Sequence, residues 1–341
     1  MCAADPAARG PGSQRGAPCL AASTFCNTAS VLHLQLRVPT DLTEQVVDLL
    51  TSDETVTNVA VLSQSYRKPP GCLVIADVAR EGANPVVAAL HAMDLHHHGS
   101  IMLTEPSTLL SDEAVRAEKA APGTPDDGIV WDVVENRVRQ ESRLSWAFLA
   151  FLTLATLIAG VGRLLDQPIL IIGAMVVGPE FSPIAAICVA LARPRFSILP
   201  QALVTLGVGF GGSVAIAAPL WAVAHLVGLA TRRDVTNGPL TNFIVQPDLW
   251  SFVIALLAGV AGVLALTTAK SGTLVGVFIS VTTVPAVGTV ALCLGAGVWS
   301  EIPSALAQLG INLVGIVLAG TLTLMVQRLV WSRVNASSRL P

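Results

Sequence analysis

Glu180 is the only carboxylate near the middle of any long apolar segment in this 341-residue chain. It stands in Gly178-Pro179-Glu180-Phe181-Ser182-Pro183, where an apolar run breaks before resuming at Ile184. A charge at the centre of a bilayer costs about 2.5–3.5 kcal/mol on insertion scales, so it needs water, a partner or a proton. Two roles are open for it. It could be a proton or cation site that changes charge state during transport, or a cap that holds open the start of a second half-helix near Pro285. That second break reads Ser280-Val281-Thr282-Thr283-Val284-Pro285. Proline inside a helix removes a hydrogen bond and clashes with the preceding turn, at roughly 3 kcal/mol. No bilayer water repairs the freed backbone groups, so such a break survives only when buried in protein or lining a cavity.

Ser182-Pro183 has the composition of a helix start, with serine as N-cap and proline at the first helical position. Pro285, behind Thr282 and Thr283, is placed in the same way. Two half-helix starts that converge present amides with partial positive charge, which suits a polar or anionic group. Asn312 lies among Gly310, Gly315 and Gly320, where it either touches a solute or bonds across a small-residue seam. The expected binding set is therefore Gly178, Glu180, Ser182, Pro183, Ser280, Thr282, Thr283, Pro285 and Asn312. A kink packed against protein with no ligand is the plain alternative.

Other reactive residues carry less. His96-His97-His98 leads into an expected strand, where neighbours point to alternate faces and make poor joint ligands, so a solvated turn is expected rather than a metal site. The six cysteines form no CxxC pair, and those in apolar runs, Cys188 and Cys293, are expected to be packing residues. Gly207, Gly209, Gly211 and Gly212 are expected to permit close helix packing. Arg163, Arg193, Arg195 and Lys270 fall at segment ends, where topology and lipid headgroups account for them. No hydrolase, zinc-protease, phosphate-loop or dinucleotide motif is present, so no enzyme class, catalytic residue, metal or cofactor is expected.

The elements that must position the two breaks are membrane helices. The chain is 52% hydrophobic and 13% charged, against about a quarter charged in a soluble domain. A net charge of −3 points away from nucleic acid. Six apolar segments follow residue 143: 144–165, 168–192, 198–228, 249–269, 272–298 and 303–331. Each is long enough for a hydrocarbon core of roughly 30 Å. With a cytoplasmic amino terminus, nine basic residues fall inside against Arg163, Arg232 and Arg233 outside, which sets both termini in the cytoplasm. A shift of 102 residues lays Pro183 on Pro285 and Gly178 on Ser280. Three spans per half make the halves enter from opposite sides, a 3+3 inverted repeat with two broken helices.

Ahead of the spans, residues 1–30 have the composition of a disordered tail. Residues 31–106 alternate as strands and helices. Strands are expected at Val31–Val38, Val56–Leu62, Cys72–Val78 and Ser100–Thr104, with helices at Thr43–Leu50 and Val86–Leu95. The order βαββαβ is that of a ferredoxin-like α+β domain, here cytoplasmic. Residues 107–143 are expected to form a linker ending in an amphipathic helix, residues 144–331 the membrane domain and 332–341 a cytoplasmic tail.

Several of these residues carry a family resemblance. Ile172-Gly173-Ala174-Met175 with Gly178-Pro179 and Pro183, Pro247-Asp248-Leu249, Ile279-Ser280-Val281 with Val284-Pro285, and Asn312 to Ile316 together resemble the domain of unknown function 389 family of hydrophobic bacterial membrane proteins. The resemblance implies a helical membrane fold in a bacterial inner membrane. The residues themselves imply a transporter or channel-like protein that binds a small polar solute, with an anion marginally preferred, at the midplane between the broken helices. The alternative is a membrane-anchored metabolite sensor working through the cytoplasmic domain. Lipids and further copies of the chain, as a homo-oligomer, are the other expected partners.

Overall fold

The computed structural model describes residues 31–106, 109, 111–121, 129–194, 196–236, 238–244, 248–268 and 283–337. The expected tail at 1–30, Ser280 and Thr282 lie outside the described residues.

The amino-terminal part opens with β1 (Val31–Val38), α1 (Thr43–Ser52), β2 (Val56–Arg67) and β3 (Pro70–Ala79). It continues with α2 (Ala83–Ala92), the single turn α3 (Leu95–His98) and β4 (Ser100–Thr104). The four strands form one antiparallel sheet in the order β2-β3-β1-β4. Alternation in β1 buries Leu32, Leu34, Leu36 and Val38 completely, and Val46, Leu50, Val86 and Leu90 of α1 and α2 cover them. The expected linker is not featureless, because α4 (Asp112–Ala120) occupies part of it, capped by the Ser111 hydroxyl accepting from the Ala114 amide. Its buried stripe is Ala114 and Ala117, too small to register as apolar periodicity.

Helix α5 (Trp131–Glu141) joins the two parts and belongs to both cores. Val130, just before it, and Val133 pack with the sheet, while Val134 and Val138 pack into the membrane region. The membrane region contains α6 (Trp146–Leu164), α7 (Pro168–Val177), α8 (Phe181–Ala192) and α9 (Leu199–Leu226). After the short α10 (Arg232–Thr236) come α11 (Leu249–Thr267), α12 (Val284–Ala296) and α13 (Ile302–Ser337). Among the described residues four helices are long and apolar enough to cross a membrane, and α7 with α8 forms a fifth candidate bent by 61°. Of the expected span 272–298, only Thr283 onward is described, so six crossings are not all in view.

Large apolar side chains that would be buried in a soluble protein are exposed here, among them Leu154, Leu203, Leu257, Leu318 and Leu322. A contiguous apolar surface of this kind marks a lipid face. Trp146, Trp250 and Trp299, at or beside helix ends, are exposed, as an interfacial aromatic belt requires. By contrast, α8 is buried at every position from Pro183 to Ala190, and α12 from Val284 to Cys293. These two half-length helices form the protein-packed centre of the membrane region.

Small residues set how closely the helices approach. A Cβ on Gly259 would lie 2.5 Å from the Ile316 carbonyl oxygen of α13, and one on Gly320 would lie 2.8 Å from Cys188 Sγ. In α9, Gly209 and Gly212 pack on Phe148, Leu152 and Leu149, whereas Gly207 and Gly211 have no neighbour within 4 Å. The expectation of close packing therefore holds for two of those four glycines, because the stripe they form spans two faces of one helix.

Candidate functional site at the helix breaks

The chain leaves α7 at Gly178, which accepts no turn of helix beyond it (φ −68, ψ 126), and re-enters helix at Phe181. Glu180 is the N-cap residue of α8 and is 0% exposed. Thr283 is the N-cap residue of α12 and is also 0% exposed. The Thr283 hydroxyl donates to Glu180 Oε1 at 3.0 Å, so the starts of α8 and α12, 103 residues apart in Glu180 and Thr283, meet directly. Pro285 follows in the first turn of α12, where its missing N–H costs nothing.

The half-helices run apart from this point. Arg328 Nη1 donates to the Ala192 carbonyl at the end of α8, at 3.3 Å. Arg232 Nε donates to the Ala296 carbonyl at the end of α12, at 3.2 Å. Each half-helix C-terminus, with its excess of unpaired carbonyls, thus receives a guanidinium. The end of α12 adjoins the start of α13, and the end of α8 adjoins Arg328 on that same helix. Ile302 to Arg328 rises about 39 Å, close to the roughly 18 and 20 Å of α8 and α12 laid end to end. The junction therefore sits near the middle of the Ile302–Arg328 stretch of α13.

Register along α13 brings further polar groups to that level. Cys188 packs on Gly320 with α8 parallel to α13, and Val290 packs with Ala305 with α12 antiparallel to it. Counting back along each helix to its start converges near residues 311–313. Asn312 is 1% exposed and Gln308, one turn before it, is 5% exposed. Gln308 Nε2 approaches Asn312 Oδ1 at 3.5 Å, and Gln308 Oε1 accepts no hydrogen bond among the described residues. Sequence reasoning missed Gln308. The signal was a second amide at helical spacing from Asn312 inside an apolar run.

Ser182 departs from its expected role. The helix begins one residue before it, and its hydroxyl donates to Glu141 Oε2 of α5 at 3.1 Å instead of capping α8. Pro183 accordingly occupies the third helical position, not the first. The junction thus brings together Glu180, Thr283 and Pro285 at the level of Asn312, with Gly178 at the α7 exit and Ser182 facing α5.

Arg163 also departs from expectation. It was expected at a span end facing headgroups, yet it is 1% exposed. Its Nη1 donates to Thr241 Oγ1 at 2.9 Å and to the Gly238 carbonyl at 3.3 Å. Asp166 accepts from the Thr241 amide and hydroxyl, both at 2.9 Å, and from the Leu240 amide at 3.1 Å. The connection before α11 is thereby clasped onto the turn between α6 and α7. Desolvation opposes ionisation of Asp166, but the Thr241 hydroxyl, the two amides and Arg163 together hold its carboxyl below the usual range. A depressed folded pKa contributes stability that is fully present above the unfolded value of about 3.9 and is lost as pH falls through the folded one. Asp166→Asn, which tolerates the positive φ of 51° at this turn, is therefore expected to unfold more easily than wild type at neutral pH. The gap should narrow below about pH 4. Thermal unfolding followed across pH checks this, and a gap that stays constant in acid would mean the carboxylate charge plays no part.

The histidine triplet lies in an exposed turn, as the sequence reading expects. Asp94, with positive φ, turns the chain into α3, and ligand atoms of Asp94, His96 and His97 lie within 4.8 Å of one another, all on exposed side chains. Cys72, Cys188 and Cys293 are buried and free.

Long apolar helices around two buried half-helices, with a small antiparallel α+β unit ahead of them, define the class of α-helical membrane proteins. Residues 175–318 match the model of the family described as "Domain of unknown function (DUF389)". The resemblance to that family thus stands as a finding over residues 175–318, the stretch that holds Glu180 and Thr283. An uncharacterized protein of Methanocaldococcus jannaschii is 25% identical over 218 residues, covering 63% of this chain and 64% of that relative. The chain therefore spans less than two thirds of the relative's length. No solved structure matches the chain.

Proposed function

We propose that the protein is a membrane transporter or channel-like protein that binds a small polar solute at the junction of α7–α8 with α12. The observation that carries this reading is the Thr283–Glu180 hydrogen bond, which joins the starts of the two buried half-length helices inside the membrane region. Broken helices meeting near the middle of the bilayer are where repeat-built transporters place their sites. The carboxylate stands where an anion would otherwise sit, and Gln308 adds a vacant buried acceptor. The geometry therefore favours an uncharged or cationic polar solute carrying hydrogen-bond donors, and the anion preference is given up.

The same reading takes the membrane region as six crossings in a 3+3 inverted repeat. Its support is the matching ends of α8 and α12, each met by an arginine and each starting at the shared junction. The soluble unit, with β1 and β3 central in a βαββαβ chain, is taken as ferredoxin-like and cytoplasmic.

The direct test is the full chain in proteoliposomes with a panel of small uncharged and cationic polar tracers. At least one is expected to enter faster than into protein-free vesicles, and uniform leakage across the panel would end the transport reading. A reporter fused after Pro341 should read cytoplasmic, and one inserted beside Asn237 should read external. Both on one side would remove the inverted repeat.

A further inference from the structure

We propose that the crevice between α2, β4 and α5 binds a small zwitterionic metabolite, an α-amino acid with a short aliphatic side chain, and that occupancy is relayed to the membrane region through α5. The crevice has a volume of about 230 Å3 and lies where the soluble sheet meets the joining helix. Asp132, Glu135, Asn136 and Arg139 line it from one stripe of α5, at the spacing that puts side chains on a single face. Val87, Ile101 and Leu103 form an apolar wall from α2 and β4, and His91 of α2 is the one polar side chain on that side.

Size and charge select the ligand. The volume is below the roughly 300–1,000 Å3 typical of drug-sized ligands, which leaves no room for a nucleotide. Two carboxylates on the stripe also repel phosphate. A simple cation would leave Arg139 unanswered, and a simple anion would face Asp132 and Glu135. The side chains of Asp132, Asn136 and Arg139 have no hydrogen-bond or ion-pair partner among the described residues, although the Arg139 carbonyl accepts from the Ser142 hydroxyl. Glu135 and Arg139 lie one turn apart, about 6 Å along the axis. A zwitterion spans that interval, its ammonium toward the carboxylates and its carboxylate toward Arg139 and Asn136. A short aliphatic chain then meets Val87, Ile101 and Leu103.

The relay rests on contacts of the same helix. Glu135 is 6% exposed and accepts from Arg193 Nη1, at the end of α8, at 3.2 Å. The Arg193 guanidinium lies 5.3 Å from the centroid of the Trp131 ring. At the other end of α5, Glu141 accepts from Ser182 in the first turn of α8. A ligand that draws on Glu135 acts on a side chain that already holds α8, whose start carries Glu180. This inference goes beyond the transport reading, and binding at the crevice can be measured whether or not any solute is moved.

The test uses the purified full-length protein in detergent, with thermal unfolding and tryptophan fluorescence read against the standard L-amino acids. One or more aliphatic members, L-valine and L-leucine first, are expected to stabilise it saturably. Isobutylamine and isovalerate, which each keep only one of valine's two charges, are expected to bind at least about tenfold more weakly. Asp132→Ala and Arg139→Ala should each weaken binding by a similar factor, and Leu103→Trp, which fills the crevice, should abolish it. No stabilisation by any amino acid, equal binding of the analogues, or unchanged affinity in the variants would overturn the site. The analogue series needs no variant, so it decides the point even where a substituted protein fails to fold. For the relay, ligand should slow amide exchange in residues 181–192 as well as in α5, and slowing confined to α5 would overturn it.

Discussion

Glu180→Gln is expected to leave the protein folded while removing the pH dependence of solute binding and lowering transport on the order of tenfold or more, about 1.4 kcal/mol. Glutamine keeps the shape and an oxygen that can accept from Thr283, so the tie between the breaks survives. What it lacks is a titratable proton on a side chain that is 0% exposed. A carboxylate at that depth must be answered by a proton, a cation or a solute donor, and the amide needs none of these. Thr283→Val separates the second possibility. It removes the hydroxyl that answers Glu180 Oε1, at a cost of about 1–3 kcal/mol for a buried group that loses its partner. If Glu180 only holds the break open, both variants will show reduced thermal stability with unaltered affinity. Pro183→Ala and Pro285→Ala extend the comparison, since regaining helix at either break would cover the amides that converge there. Unchanged binding, flux and pH profile in all four variants, in a protein with demonstrated activity, would move the site elsewhere.

Gly288→Ala is expected to destabilise the membrane region strongly, and Gly288→Leu to prevent folding. A Cβ at Gly288 would lie 2.6 Å from Ala159 Cβ, 2.9 Å from the Thr156 carbonyl oxygen and 3.1 Å from the Gly160 amide nitrogen. None of these is the end of a flexible side chain, so α6 and α12 must separate. Overpacking of this kind costs about 1–3 kcal/mol for small additions and more for larger ones. Gly288 lies in the second turn of α12, so the shift carries Thr283 with it, and solute binding should weaken along with stability. Gly173→Ala is the matched control, because nothing lies within 4 Å of a Cβ there. Melting temperatures of the two alanine variants decide the matter, and equal values would mean that the α6–α12 crossing is not close-packed in the bilayer.

The legible parts of this chain are those governed by nearest neighbours along it. Alternation over Val31–Val38 and Ser100–Thr104 is strand-like wherever one face is buried, and both strands stand at those bounds. Runs such as Leu249–Thr267 are long and apolar, and length alone makes them candidates to cross a bilayer. Proline marks the breaks, because a missing N–H is a local defect wherever the helix lies. Helix α4 escaped the same logic, since alanine buries without announcing a hydrophobic face.

By itself, then, the order of residues determined a small α+β unit, a series of apolar helices and the interruption between α7 and α8, all properties with periods of two, of 3.6 or of one membrane thickness. Tertiary structure alone decided that Glu180 meets Thr283, that Arg163 turns inward to clasp Thr241 and Gly238, and that α5 shares its faces between two cores. The physical reason is the same in each case. A buried polar group takes whichever partner the packed helices bring within hydrogen-bonding distance, and that partner lies 75 to 103 residues away, where no local pattern reaches.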